Sequence, residues 1–266
     1  MTTIPTIPSN PWPAVTNPWP TDVHTLALDI GGTGFKASVL DENGAMVVDE
    51  VRVATPYPCT PEIFLSTVLE LVKPLPPAHR VTVGFPGLIR NGLVLEVPSL
   101  SRRVRNGERD KQLAKTWTGF DLRTAIATAM SLPTKVANDA DVQGCAVVQG
   151  KGLEFVLTLG TGVGTSLFQD GQLLPHLELS HGPYDDTMTI DIAIGDFQLR
   201  HIGVDAWLIK VRKAIGYFDA MITFDHLYVG GGNARLLIDA DTGPKGSLVS
   251  NENGILGGIR IWELDA

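Results

Sequence analysis

The residues best suited to handling an anion lie between Leu26 and Lys36, in the stretch LALDIGGTGFK. Apolar and small residues alternate up to Asp29, the chain breaks into Gly31, Gly32, Thr33 and Gly34, and strand-period residues resume at Phe35, Ala37 and Val39. The pattern predicts strand, tight turn, strand. Glycines let a backbone approach an anion closely and turn its N–H groups toward it, while Thr33 and Lys36 add a hydroxyl and a point charge. Asp29 would repel a bare phosphate, so an acid at this position points to a water-bridged Mg²⁺ between carboxylate and phosphate. The spacing matches neither GxxxxGK[ST] nor GxGxxG. A plain Gly-rich hairpin would carry the same residues, so the rest of the chain has to supply the argument for chemistry.

The second half repeats the device. Phe155 to Leu159 is an apolar strand that breaks into Gly160-Thr161-Gly162-Val163-Gly164, resumes over Ser166 to Phe168 and turns at Asp170-Gly171. Two such hairpins in corresponding positions suggest duplicated domains gripping one phosphate chain from opposite sides. A third glycine turn, Gly230-Gly231-Gly232-Asn233, follows the strand His226 to Val229 and is expected to open a helix over Ala234 to Asp239. Between Ser101 and Lys115, Arg102, Arg103, Arg105, Arg109, Lys111 and Lys115 face only Glu108 and Asp110. In an acidic chain this is either a solvated loop or an electrostatic track for a polyanion.

The elements that must position these residues can be read in outline. Residues 1–22 hold prolines at 5, 8, 11, 13, 18 and 20 with Trp12 and Trp19 between them, and should form an extended tail. Thr25 to Val53 predicts a three-stranded meander with its second turn at Asp41-Glu42-Asn43-Gly44. Thr60 and Pro61 cap a helix with apolar positions Ile63, Phe64, Val68, Leu71 and Val72, ending at Pro74. A strand from Val81 to Phe85 leads into Pro86-Gly87, and a hairpin turns at Arg90-Asn91-Gly92 into a strand near Leu93 to Val97. Asp121 caps a helix running to about Ser131. The strand Thr134 to Ala137 ends in Asn138-Asp139-Ala140-Asp141, with helix expected over Val142 to Val148. Residues 240–254 read as loop, and Ile255 to Trp262 as a terminal helix.

Composition narrows the classes. A chain of 266 residues, 44% hydrophobic and 19% charged, can bury one large or two medium cores. No apolar run approaches the ~20 residues needed to span a bilayer, and the N-terminus lacks the pattern of a secretory signal. A cytoplasmic protein without membrane association is expected. Cys59 and Cys145 support neither a disulfide framework nor a cysteine zinc site. The net charge of −8 argues against nucleic acid as a partner.

Taken together, DIGGTGFK, GFPG, VANDAD, LGTGVGTSL, and Glu178 with His181 resemble the ROK family of repressors and sugar kinases, within the sugar kinase, Hsc70 and actin superfamily. The segments KTWTGFDL (Lys115 to Leu122) and LLPHLELSH (Leu173 to His181) resemble its polyphosphate glucokinase and polyphosphate/ATP glucomannokinase branch. The resemblance covers roughly residues 25–262. It implies an α/β protein of the actin-like ATPase (ribonuclease H-like) fold, two lobes with the active site in the cleft between them. The expected division is residues 23–137 plus 253–266 as a small N-terminal lobe and 138–252 as a large C-terminal lobe.

It also implies transfer of a phosphoryl group from ATP or inorganic polyphosphate to glucose, in a protein favoured to form a homodimer. Alternatives are a sugar-responsive regulator, an ATP-only glucokinase and an actin-like assembly ATPase, against which Asn138, Asp139, Glu178 and His181 argue. Asp139, after a strand and before a helix, is assigned as general base toward the sugar 6-hydroxyl. Asn138, Gly87, Glu178 and His181 are expected to bind sugar hydroxyls, with Thr161, Gly162 and Gly164 holding donor phosphates opposite the first turn. Gly231, Gly232 and Asn233 would border the nucleoside of ATP. The chain departs from the family pattern at Ser180, usually glycine, and it lacks both a further acidic sugar ligand as glutamate and the cysteine-rich zinc motif. Asp191 is the candidate substitute for that glutamate, a looser contact there would admit mannose, and His181 is expected to be a sugar ligand with no structural zinc.

Overall fold

The structure, a computed structural model, describes residues 19–249 and 257–263. The tail up to residue 18, the segment 250–256 and the last residues 264–266 lie outside the described residues.

The meander forms as expected: β1 (Thr25–Ile30), β2 (Gly34–Leu40) and β3 (Val51–Ala54) are antiparallel neighbours. Asp41 closes its second turn by accepting from the backbone N–H of Asn43 and Ala45 at 2.9 and 2.8 Å. Thr60 Oγ1 accepts from Ile63 N at 3.3 Å and Pro61 sits at the first turn of α1 (Pro61–Val72), which buries Phe64, Val68 and Leu71. β4 (Arg80–Phe85) then runs parallel to β1. The hairpin β5 (Leu88–Arg90) and β6 (Leu93–Glu96) follows, then α2 (Lys111–Trp117), α3 (Leu122–Met130) capped by Asp121, and β7 (Thr134–Asn138) parallel to β4.

α4 (Asp139–Val147) leads into the second half. There β8 (Leu153–Leu159), β9 (Val163–Gln169) and β10 (Gln172–Leu173) form another meander. Three helices follow, α5 (Ile190–Ile194), α6 (Asp196–Ile202) and α7 (Val204–Ile222), then β11 (His226–Gly230), β12 (Gly246–Leu248) and α8 (Gly257–Arg260).

The two five-stranded sheets have the same plan: β3-β2-β1-β4-β7 in one and β10-β9-β8-β11-β12 in the other. In each, the first, fourth and fifth strands in chain order are parallel and the second and third antiparallel. This duplicated sheet is the two-lobed actin-like ATPase fold, and it accounts for the paired glycine turns.

Each half has its own core. In the first, Phe64 meets Phe35, Phe85 and Trp117 with ring centroids 5.5–6.0 Å apart, and Trp117 Nε1 donates to Cys59 O at 2.9 Å. The second centres on Phe155, Trp207, Phe218 and Phe224. A third cluster, with Ala137, Val142, Cys145, Val156, Phe168, Tyr228 and Ile261, draws on both sheets and on α4.

α8 crosses α4 where Gly257 leaves no room for a side chain: a Cβ there would lie 1.6 Å from Val142 O. Thr82 of β4 reaches it, donating to Gly258 O at 2.5 Å and accepting from Trp262 Nε1 at 2.8 Å. Arg80 places its guanidinium over the rings of Trp19 and Trp262, 5.2 and 5.1 Å from their centroids, so one indole of the Pro/Trp tail is laid on the chain's C-terminal segment.

Several expectations are corrected. α4 starts at Asp139 rather than Val142, because Asn138 Oδ1 caps Ala140 N at 2.8 Å. The helix expected over Ala234 to Asp239 is a single 3₁₀ turn, Ala234–Leu236. Asp241 takes Ile238 N at 2.9 Å and pairs with Arg212, pulling the chain into a separate short turn. Residues 240–254 are not all loop, since Gly246–Leu248 adds β12 to the sheet edge. α2 lies within the basic stretch, and α5 to α7 occupy residues for which no helix was expected. Yet α7 buries Trp207, Val211, Ala214, Ile215 and Phe218 at helical spacing.

Gly257→Ala should drive a methyl into the Val142 carbonyl and lower the thermal midpoint by several degrees, the consequence of about 1–3 kcal/mol of overpacking. An unchanged midpoint in a calorimetric scan would contradict the close crossing of α4 and α8.

Candidate functional site

In open α/β sheets, ligands sit beyond the carboxyl ends of the parallel strands. Here those ends deliver Asp29 and the Gly31 turn from β1, Gly87 after β4, Asn138 and Asp139 at β7, the Gly160 turn from β8 and the Gly231 turn from β11.

Each hairpin turn is closed by its first glycine, the second more tightly: Gly31 N donates to Gly34 O and Gly160 N to Gly162 O, both at 3.0 Å. In the first turn the carbonyls are engaged by the protein, Gly31 O by Thr55 Oγ1 at 2.6 Å and Gly32 O by the Tyr57 hydroxyl at 2.7 Å. Thr33, Thr161 and Gly162 are exposed, and Gly162 would place a Cβ in open space. Lys36 lies opposite Asp29 in the β1–β2 register, and its ammonium is 3.3 Å from the Asp29 carboxylate. The two side chains assigned to phosphate and metal thus pair with one another, both roughly half-exposed. The third turn rests on the second: Asn233 N donates to Leu159 O at 2.9 Å and Asn233 Nδ2 to Gly160 O at 3.2 Å. Gly231 has φ +90° and its Cβ would fall 2.3 Å from Leu159 O, so only glycine lets these strand ends meet. Gly232 is exposed beside it.

Asn138 ends β7 buried, its Nδ2 donating to Gly87 O at 3.0 Å. Asp139, half-buried in the first turn of α4, accepts from Ala140 N at 3.0 Å. Desolvation, then the nearby charge of Asp29, push the Asp139 carboxyl up to about 7; Asp141 adds to this and the Ala140 N–H and His176 oppose it. Asp29 and Asp139, more than a hundred residues apart, are therefore brought within electrostatic reach.

Glu178 and His181 come together on a 3₁₀ turn, Leu179–His181, with His181 Nε2 3.9 Å from Glu178 Oε2. The segment is pinned across β9 by Thr165 Oγ1 on Leu177 O at 3.0 Å and by Ser180 Oγ on Val163 O at 2.8 Å. Ser180, where the family pattern has glycine, is thus buried and bonded. Asp191 lies in the first turn of α5, next to Ile190, whose N–H donates to Gly182 O at 2.9 Å, and it accepts from Thr189 Oγ1 at 2.5 Å.

One neighbour of this site was not singled out from the sequence. His176 is buried, with Nδ1 2.9 Å from Asp141 Oδ1 and Nε2 3.5 Å from Glu178 Oε1. The signal was present as a histidine two residues before Glu178, but nothing in the sequence relates it to Asp141. Cys59 and Cys145 are both buried, and burial pushes each thiol up to about 12, which keeps them out of thiolate chemistry.

The basic stretch is partly spent on itself. Arg102 donates to Pro98 O and Gly107 O, Arg103 pairs with Asp110, and Arg109 with Glu96. Arg105 is exposed, and its charge, like that of Arg102, acts on Tyr57, whose hydroxyl bonds the first turn.

A family model described as the ROK family matches residues 25–175. The polyphosphate glucokinase of Mycobacterium tuberculosis is 30% identical over 169 residues, 60% of this chain and 59% of that protein. An N-acetylmannosamine kinase of Escherichia coli is 33% identical over 155 residues, 56% of this chain and 49% of that protein. The chain thus spans about half to three-fifths of the length of these curated relatives. Among solved structures, the inorganic polyphosphate/ATP-glucomannokinase of Arthrobacter sp. strain KM superposes with a TM-score of 0.71 at 27% identity, covering 90% of this chain and 97% of that one. With more than half of its residues matched by the family model on this duplicated fold, the chain belongs to the ROK family.

Proposed function

We propose that the protein is a hexokinase-type kinase that transfers a phosphoryl group from inorganic polyphosphate or ATP to the 6-hydroxyl of glucose. The observation that carries the reading is Asp139. Its carboxyl sits at the start of α4, which Asn138 caps, with a raised pKa of about 7 and within electrostatic reach of Asp29 beside the first glycine turn. The names of two relatives, a polyphosphate glucokinase and a polyphosphate/ATP-glucomannokinase, agree with that chemistry.

Asn138, Gly87, Glu178 and His181 would hold the sugar, and ionised Asp139 would accept the proton of the 6-hydroxyl as it attacks the terminal phosphorus. The glycine turns at Gly31 to Gly34 and Gly160 to Gly164 would orient the donor from both sides, so that most of the acceleration comes from placement and charge compensation. Asp29, whose carboxylate is half-exposed beside the first glycine turn, would hold an Mg²⁺ ion on the donor side of the site. When bound, that ion neutralises charge on the phosphoryl oxygens. Closure of the two lobes would exclude water, the competing acceptor.

For the donor, Arg105 is the basic side chain best placed to lead a polyphosphate chain to the first turn, because Arg102 and Arg103 already brace their own loop. For the acceptor, mannose is included because Asp191, a shorter acid whose Oδ1 already accepts from Thr189 Oγ1, would make a looser sugar contact than the glutamate of the family pattern.

Asp139→Asn should lower kcat by ~10²- to 10⁴-fold with little change in glucose KM, in an assay of glucose 6-phosphate formed with each donor. Near-normal turnover would remove Asp139 from the role, and absence of product with either donor would reject the kinase reading.

The base acts ionised, so wild-type kcat should fall as pH drops below about 7. A raised carboxyl pKa means that the folded state holds a proton the unfolded chain has released, so its stability contribution is lost as pH rises from about 4 to about 7. Asp139→Asn should therefore be more stable than wild type at pH 8, by on the order of 2–4 kcal/mol, and equal to it near pH 3. Denaturant titrations at the two pH values check the sign.

Arg105→Gln should raise KM for long polyphosphate about three- to tenfold while leaving KM for ATP nearly unchanged. Equal effects on both donors would count against a dedicated polyphosphate path.

A further inference from the structure

The buried pair of Asp141 and His176, beside Glu178, is left unexplained by the transfer chemistry. The side chains of His176 and Asp141 are only 4% and 3% exposed, and their Nδ1–Oδ1 bond is 2.9 Å. Burying such a pair is costly, and apolar residues of similar volume would often serve the fold as well. Moreover, His176 Nε2 is buried with no hydrogen-bond partner: its approach to Glu178 Oε1, at 3.5 Å, is too long for a formed bond. A merely structural histidine would leave that nitrogen unsatisfied to no purpose.

The backbone around the ring is fixed independently. Arg90 Nη2 donates to His176 O at 3.2 Å, and the next carbonyl, Leu177 O, is held by Thr165. With Nδ1 committed to Asp141, Nε2 is the nitrogen turned toward Glu178. Glu178 in turn divides its oxygens, Oε1 facing His176 and Oε2 lying 3.9 Å from His181.

We propose that His176 is a positioning residue for sugar recognition: anchored by Asp141, it holds the Glu178 carboxylate in one orientation as a hydrogen-bond acceptor for sugar hydroxyls. The proposal rests on the reading above that Glu178 contacts the sugar. A carboxylate held this way meets hydroxyl hydrogens at fixed places, and a sugar whose hydroxyls fall elsewhere leaves it unpaired. Closing the gap of 3.5 Å to a hydrogen bond requires only a small shift of the Glu178 side chain, of the kind a bound sugar imposes.

The electrostatics agree. Burial pulls the imidazole's pKa down, but the hydrogen bond to Asp141 and the nearby carboxylates of Asp141 and Glu178 outweigh it and the net value rises to about 9. Glu178 is held below the usual carboxylate range, chiefly by His176, with burial opposing and His181 helping. The charged groups around the residue are Asp139 and Asp141 of α4, Glu178 with His181 beyond it, and Arg90 of β5 on its carbonyl.

The test compares His176→Phe and His176→Asn in the full chain. The Phe variant should raise glucose KM about 10- to 100-fold, the loss expected for a hydrogen bond to a charged group, with kcat and donor KM changed less than about threefold. The Asn variant, which keeps an amide donor, should recover part of the loss, and it carries the same test if the Phe variant fails to fold. Adding His176→Phe to Glu178→Gln should raise KM little further. An unchanged glucose KM in a folded variant, or a parallel loss of kcat and of affinity for both substrates, would overturn the proposal.

A second readout does not depend on activity. Nitrogen-15 spectra of the histidine rings in the wild-type protein without substrate should show His176 protonated on both nitrogens at pH 8. An unprotonated Nε2 would overturn the positioning role even in an active kinase. A doubly protonated ring in a protein that phosphorylates no sugar would instead locate the failure in the functional reading.

Discussion

The structure depends on how α4 begins. Asn138 ends β7, caps Ala140 N with its side-chain oxygen and ties Gly87 with its amide, so one residue fixes both the helix start and the loop after β4. Because the helix begins there, Asp139 and Asp141 fall in its first turn, where the helix macrodipole favours negative charge. The same helix then carries Val142 and Cys145 into the cluster that joins the two sheets, and its carbonyl at Val142 faces Gly257 of α8. The candidate base and part of the cluster that joins the two sheets thus belong to a single helix.

Around that helix the electrostatics work against stability and in favour of chemistry. Desolvation and Asp29 raise the proton affinity of Asp139, while His176 sits between two carboxylates in the interior. Such arrangements persist only where surrounding structure over-determines them. Here two five-stranded sheets and their separate aromatic cores supply that support.

Much of this was legible in local sequence. Gly31 to Gly34 and Gly160 to Gly164 announced two strand-turn-strand units because glycine has few other reasons to recur after apolar strands, and Thr60, Asp121 and Asn43-Gly44 marked caps and turns through their own hydrogen bonds. What was not legible had physical causes. The helix after Gly232 was expected from composition, yet Asp241 captures Ile238 N and Arg212, a competition visible only once the chain is folded. The basic stretch read as free charge, but Arg103 and Arg109 find Asp110 and Glu96 across turns that spacing does not define. α7 was missed although its buried face is periodic, because no glycine turn or motif drew attention to it.

For the site, the sequence by itself determined the chemical inventory: two phosphate-type turns, the Asn138-Asp139 pair after a strand, and Glu178 three residues from His181. Those follow from local backbone preference and short-range spacing. Only the tertiary structure decided which of them meet. Pairing β1 with β4 and β4 with β7 brings Asp29 within reach of Asp139, and the segment after β10 carries His176 onto Asp141 and toward Glu178. Proton affinity and side-chain orientation depend on distance and desolvation across the sheets, and neither quantity is encoded in any one stretch of the chain.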